Sequence, residues 1–293
     1  MNRSIIKMQR FRNVQGKRKI FSLICNIILY VFMFIVTIAI LYPLLFVLTT
    51  SFKTYSEFLL NPFLITFNHP ENYVTAWIDG HFGNYFMNSI IVAFSVVIIQ
   101  TFLTAVISFA IGSLNFKGCN VVLFLLLSTM FMTGEMTSIP IFNLIKEIGL
   151  YNKLGALILP SAFGPAGMGA LLTVNFLRKL PREMHEAAVL DGAGIGSILW
   201  FIDLPLMRPM LTLVAITIFN GIWSDFMWPL IVLPTNDAAW TLPLGLINFQ
   251  SQNNAQYGVL CAGLCIITIP LVLFYCFFSK YFIEGVTAGA VKG

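Results

Sequence analysis

The sequence predicts an all-α integral membrane protein with six membrane-spanning helices, on three observations. Hydrophobic residues make up 58% of the 293 and charged residues 10%, for a mean hydropathy of +0.86. A soluble domain carries about 25% charged residues, so this chain has too little polar surface to face water. The apolar residues also gather in runs of the length a bilayer demands, about 20 in one helix. Finally, seven of the seventeen Lys and Arg residues fall before residue 20, just ahead of the first apolar run. One membrane domain (21–282) is expected between a basic tail (1–20) and a short C-terminal tail (283–293).

The tail residues Arg3, Lys7, Arg10, Arg12, Lys17, Arg18 and Lys19 read as an anchor at anionic lipid headgroups rather than a nucleic-acid surface. The run after them exceeds the roughly 7–15 residues of a signal-peptide core, and no small-x-small cleavage site follows. Spans are expected near 24–48, 85–114, 121–141, 154–177, 210–233 and 258–281. The third carries Glu135 near its outer end. The fourth is interrupted by Pro160, Gly164, Pro165 and Gly167, which is tolerated where neighbouring helices or a watery cavity satisfy the backbone. Residues 50–84 collect turn formers and rings (Pro62, Asn68, Pro70, Asn72, Trp77, Gly80) and read as an extended external loop. Residues 234–256 are polar and rich in amides, with an apolar centre at 242–247. Cys261 and Cys265 share a helix face but read as small buried side chains rather than metal ligands.

Six spans put both termini on one side, and the positive-inside rule chooses it. With the N-terminus inside, fourteen basic residues are cytoplasmic and three (Lys53, Lys146, Lys153) lie outside. That split sets the orientation and puts the loop 178–209 in the cytosol of a cell-membrane protein.

This loop is the most polar element between two spans. Pro181 suits a first helical turn and Glu183 favours the positive end of the helix dipole. Met184, Ala187 and Ala188 then make a short apolar stripe at i, i+3 and i+4, with small side chains that allow close approach by a partner. Gly192 and Gly194 stop the helix. Ser197 is placed to cap a second one, running through Trp200 and Phe201 until Pro205. Two short helices at a glycine elbow form a knob able to pass a push into the spans on either side. The bland alternative is an amphipathic loop at the headgroups, with Glu186 and Asp191 merely solvated.

Glu186, Ala187, Ala188, Asp191, Gly192, Ala193, Ile202, Leu204, Pro205 and Pro209, with the ending 285–293 (GVTAGAVKG), resemble the permeases of carbohydrate-type ABC importers. The resemblance covers nearly the whole chain, though only those two parts are specific, and Leu199 stands where the family often has phenylalanine. It implies a type I (MetI-like) ABC importer permease fold and alternating access. It also implies the partners: a dimer of ATP-binding subunits, a second and different permease, and an extracytoplasmic solute-binding protein. Glu186 would bond a basic residue of the ATPase, with Ala187, Ala188 and Leu190 filling its groove beside Asp191, Gly192, Ala193 and Pro205. The tail residues Thr287, Gly289, Val291 and Lys292 would reach between the two ATPase subunits. ATP and Mg belong to those subunits, since this chain has no GxxxxGK[ST] phosphate loop and is expected to bind no cofactor or metal itself.

Polar residues inside a membrane tend to face a cavity or a partner helix. Asn220, Trp223, Ser224, Asp225 and Trp228 in the fifth span would suit a sugar, which has apolar C–H faces and hydroxyl edges. The alternative is that they bond neighbouring helices or anchor at the interface. Glu135, with Thr137 and Ser138, is a second candidate. In the 234–256 loop, Asn236, Gln250, Gln252, Asn253 and Asn254 would meet the binding protein. A permease for a non-sugar solute such as glycerol phosphate stays open. A secondary transporter is disfavoured by the absence of a repeat and by charges kept to helix ends and one loop. An enzyme is disfavoured because His69, His81 and His185 are scattered, with no HExxH or GxSxG, and read as solvated surface residues.

Overall fold

Apolar runs of bilayer length become long helices, and every regular element among the described residues is helical. The computed structural model describes residues 2–114, 116–132, 134–164, 167–249 and 256–290, with the backbone alone for 2–22, 135 and 279–290. Helix α1 (Asn2–Thr50) takes in the basic tail without a break, so tail and first span are one rod. It packs chiefly along the last helix of the chain and leaves most of its apolar side chains from Leu23 onward uncovered.

The stretch expected as an extended loop folds into α2 (Tyr55–Leu60) and α3 (Glu71–Ile78). Its order has local causes. Thr54 and Glu57 form a reciprocal capping box, the Glu57 amide donating to Thr54 Oγ1 (3.3 Å) and the Thr54 amide to Glu57 Oε2 (3.0 Å). Lys53 is buried, its ammonium donating to the carbonyls of Asn61 (3.2 Å) and Pro62 (2.7 Å). Asn72 ties the segment back to the end of α1 through the carbonyls of Ser51 and Lys53.

Helix α4 (Phe82–Gly112) is the second span and the hub of the bundle. The third span is broken rather than continuous. Helix α5 (Cys119–Ser128) tightens into a 3-10 turn at Thr129–Phe131, Met132 turns extended, and α6 (Gly134–Glu147) leaves at 100°. A break of this kind is tolerated at membrane depth where it borders a cavity, and Gly134, the first residue of α6, lies on a cavity wall. The fourth span is the pair α7 (Gly155–Ala162) and α8 (Gly167–Leu177), separated at the Pro/Gly cluster as its sequence predicts.

After α9 (Arg182–Leu190) comes α10 (Ile195–Ile198), capped at Gly194 rather than by Ser197, which lies inside the helix. Nor does Pro205 end it. A π-helical turn at Leu199–Asp203 leads straight into α11 (Leu204–Trp223), and the fifth span runs Ile195–Trp223 instead of 210–233. Pro205 falls in the first turn of α11, right after the widened turn, where its missing N–H breaks no regular α-helical ladder. At the far end the chain turns at Ser224. Asp225 then accepts from the Trp228 amide (3.3 Å), starting α12 (Met227–Val232).

Helix α13 (Leu242–Gly245) lies in a segment that dips back into the bundle, with Leu242 and Leu244 buried. Asn88 holds it by donating to the carbonyls of Ala238 (2.8 Å) and Trp240 (2.9 Å), and Ser89 Oγ accepts from the Leu242 amide (2.9 Å). The sixth span opens α14 (Tyr257–Ala290). Among the described residues five helices are thus long and apolar enough to cross a membrane, and six crossings result if the bent α5–α6 pair counts as one span. Helix α4 packs on α7, α8 and α11, and α14 packs on α1, α3 and α11. The largest cluster, around Phe82, Tyr85, Phe219, Trp223 and Leu242, is aromatic and sits between α4, α11 and α14.

Candidate functional site

The loop between the fourth and fifth spans is built as a projecting helix. Helix α9 follows Pro181 with Glu183 in its first turn. Its inner face is Met184, His185 and Ala188, each half-buried, while Glu186, Ala187, Leu190, Asp191 and Gly192 are exposed. Leu190 is 87% exposed, a large apolar side chain held out beside the small ones. The helix closes in a Schellman pattern, the Gly192 amide donating to the Val189 carbonyl (3.0 Å) and the Ala193 amide to Ala188 (2.9 Å). Gly192 has φ +84°, a left-handed conformation that favours glycine. Past the elbow, Trp200 stacks on Phe102 of α4 and Leu199 packs near Leu177 and Met207, while Pro205 is half-buried.

His185 is not the solvated residue that its sequence context implies. Its ring Nε2 lies 2.8 Å from Asp203 Oδ1, and Ser113 Oγ donates to Asp203 Oδ2 (2.5 Å). Asp203 is fully buried. His69, at the opposite end of the bundle, is likewise paired, with Glu57 and Glu71. Beside α9 lies a polar cleft of about 600 Å³, bounded by Asn120, Arg178, Arg182 and Glu186. There Arg178 donates to Asn120 Oδ1 (2.8 Å) and joins the fourth span to the third. Of the C-terminal candidates, Thr287 and Gly289 lie on the α14 backbone, which stays helical through Ala290, and Val291 and Lys292 fall outside the described residues.

Between the spans, α4, α6, α7, α8, α11 and α12 line an open cavity of about 800 Å³. Two of the polar residues expected in the fifth span, Asp225 and Trp228, line it. Trp228 is fixed by its indole N–H on the Ala156 carbonyl (3.0 Å). Trp223 is not in the cavity. It is buried, with its N–H on the Ile267 carbonyl (3.1 Å) and its ring stacked on Phe219, because that face of α11 turns toward α14. Asn220 and Ser224 are exposed and off the cavity wall, and of Glu135 only the backbone is described, with Thr137 and Ser138 beside it on the wall. Sequence reasoning missed Gln100, Thr104, Ser161 and Thr217, which also line it. Gln100/Thr104 and Thr217/Gly221 are pairs spaced i, i+4 in apolar helices, and that spacing was the available signal.

In the 234–256 loop, Asn236 donates to the Asn152 carbonyl (2.8 Å) and so faces inward. Asn248 donates to Tyr85 Oη (3.3 Å) and Phe249 is buried. Gln250, Gln252, Asn253 and Asn254 lie outside the described residues.

Apolar spans around a cavity, with a small-residue helix held out between the fourth and fifth, define the membrane component of a transporter. The chain belongs to the family described as binding-protein-dependent transport system inner membrane component, matched over residues 116–286. It is 33% identical to the probable ABC transporter permease protein YurM of Bacillus subtilis, over 90% of this chain and 88% of that one. It is 32% identical to the arabinooligosaccharides transport system permease protein AraQ of Halalkalibacterium halodurans (94% and 100%). To the trehalose/maltose transport system permease protein MalG of Thermococcus litoralis it is 31% identical (92% and 97%). Its fold matches a bacterial ABC transporter involved in the import of the polysaccharide alginate, with a TM-score of 0.76 at 20% identity over 88% of this chain and 96% of that one. This is a multi-pass ABC importer permease, a transport component that works with an ATPase and a solute-binding protein.

Proposed function

We infer that this chain is one of two different permease subunits of a carbohydrate importer, forming half of the pathway for an oligosaccharide by alternating access. The observation that carries the reading is α9, a helix of small and charged residues projecting between two spans, with Glu186, Ala187 and Leu190 exposed. Glu186 bonds a basic residue of the ATPase, worth about 1.5–3 kcal/mol for a partly buried charge-assisted contact. Ala187, Ala188 and Leu190 enter its groove, with Asp191, Gly192, Ala193 and Pro205 shaping the knob. The distribution of Lys and Arg supports N- and C-termini in the cytosol and residence in the cell membrane. The C-terminal residues Thr287, Gly289, Val291 and Lys292 reach between the two subunits of the ATPase dimer. Those subunits bind ATP and Mg, and this chain binds neither.

Two observations favour a carbohydrate. The arabinooligosaccharide and trehalose/maltose relatives are named for sugar transport. The described cavity lining holds hydroxyls, one amide, one indole and the Asp225 carboxylate, with no Lys, Arg or His to meet a phosphate. That disfavours glycerol phosphate. In the reconstituted importer, Glu186→Lys is expected to leave ATP hydrolysis running while uptake of radiolabelled arabinotriose or maltotriose collapses. Wild-type uptake by that variant would discredit the docking role.

A further inference from the structure

We propose that Ser113, Asp203 and His185 form a latch that clamps α9 to the bases of the second and fifth spans, so that a displacement of α9 is delivered to the cavity. This rests on the docking role of α9 inferred above. The three residues come from three different elements. Ser113 closes the C-terminal end of α4, Asp203 ends the π-helical turn before α11, and His185 stands on the inner face of α9. Each Asp203 oxygen receives one donor, Oδ2 from the serine hydroxyl and Oδ1 from His185 Nε2 at 2.8 Å.

A fully buried carboxylate is costly unless it is paired and hydrogen-bonded, so loss of either donor is heavily penalised and the joint is stiff. The rest of α9 has little other hold on the bundle. Glu186, Ala187 and Leu190 face away from it, and Met184 and Ala188 are only half-buried. The π-helical turn puts an extra residue into the helix just where Asp203 must meet both partners, a placement typical of functional helix defects. Both helices gripped by the latch line the cavity, α4 with Gln100 and Thr104, and α11 with Thr217 and Gly221. His185 and Asp203 are therefore positioning residues for coupling. Neither is exposed toward the docking partner as Glu186 is.

The test uses the whole importer in lipid vesicles, with the binding protein as isolated from cells carrying its natural solute. The measurements are co-purification of the ATPase and the stimulation of ATP hydrolysis by that binding protein. His185→Ala is expected to keep the ATPase bound yet lose stimulation by roughly tenfold, the scale of one hydrogen bond to a charged group. His185→Gln keeps a side-chain N–H near the position of Nε2 and is expected to retain most of the stimulation. Equal stimulation in wild type and His185→Ala, or no difference between the alanine and glutamine variants, overturns the latch. Loss of ATPase co-purification in both variants also overturns it, in favour of a docking role. If His185→Ala does not accumulate in the membrane, Ser113→Ala is read by the same criteria. A wild-type chain that never co-purifies with an ATPase removes the docking reading itself, and the latch with it.

Discussion

At Gly258 there is no room for a side chain. A Cβ there would collide with the Lys53 carbonyl and approach the Asn72 amide nitrogen to 2.6 Å, and Asn72 is the residue tying α3 to the end of α1. Gly258→Ala is expected to destabilise the protein by about 1–3 kcal/mol, the usual cost of overpacking, seen as a lower midpoint of thermal unfolding in detergent. A change within the error of the melt would show that the carbonyl gives way freely. At this scale the sequence was legible where chemistry stood out from its surroundings. Glu186, Ala187 and Ala188 break an apolar chain, and on α9 the first two are exposed and the third half-buried. Asp203 was not legible, because its partners lie 18 and 90 residues away and pairing over such distances leaves no periodic mark. Trp223 misled for the opposite reason. An aromatic beside polar residues suits a sugar and a helix core equally well, and only the direction of its ring decides.

The segment between the first two spans, carrying α2 and α3, has its own charge chemistry. His69 pairs with Glu71 Oε1 (2.5 Å) and Glu57 Oε2 (3.3 Å). The bond to Glu71 raises the His69 pKa above its ordinary 6.5. The same bond lowers that of Glu71, while Glu57 is lowered chiefly by the Thr54 amide. A raised histidine contributes stability that is complete below its unfolded pKa and lost as pH rises through the folded one. Depressed carboxylates contribute above their unfolded value near 4.5 and lose it as pH falls through the folded one. The segment is thus tightest between about 4.5 and 6.5. Hydrogen exchange of residues 55–78 is expected to be slowest at mildly acidic pH and to quicken on the alkaline side. His69→Ala should flatten that alkaline limb, and an unaltered profile would exclude the pairing as its cause. The elements themselves were partly legible. Span existence followed from hydrophobic length, and the break in the fourth span from its prolines and glycines. The bend in the third and the shifted fifth span were hidden, because a 3-10 or π-helical turn changes hydrogen bonding without changing composition.

For the molecule as a whole, the class was readable from composition and charge placement, whereas the cavity was not, since it needs six helices brought together. The fold also narrows the deletion that would test a role of the 234–256 loop in binding-protein-dependent uptake. Asn248 and Phe249 belong to the core beside Tyr85 and Phe82, so a deletion including them would damage packing. Removing 250–254 alone is expected to impair uptake driven by the binding protein while the ATPase still co-purifies. Undiminished uptake would take that loop out of solute transfer. The unbroken run from Ile195 to Trp223, 29 residues long, has a mechanical corollary. A rod of that size is about 44 Å from end to end, so a tilt of about 10° at its root swings its tip through roughly 8 Å. Asp225 and Trp228 hang just beyond that tip, and a small stroke at one membrane face therefore becomes a large excursion of the cavity wall near the other.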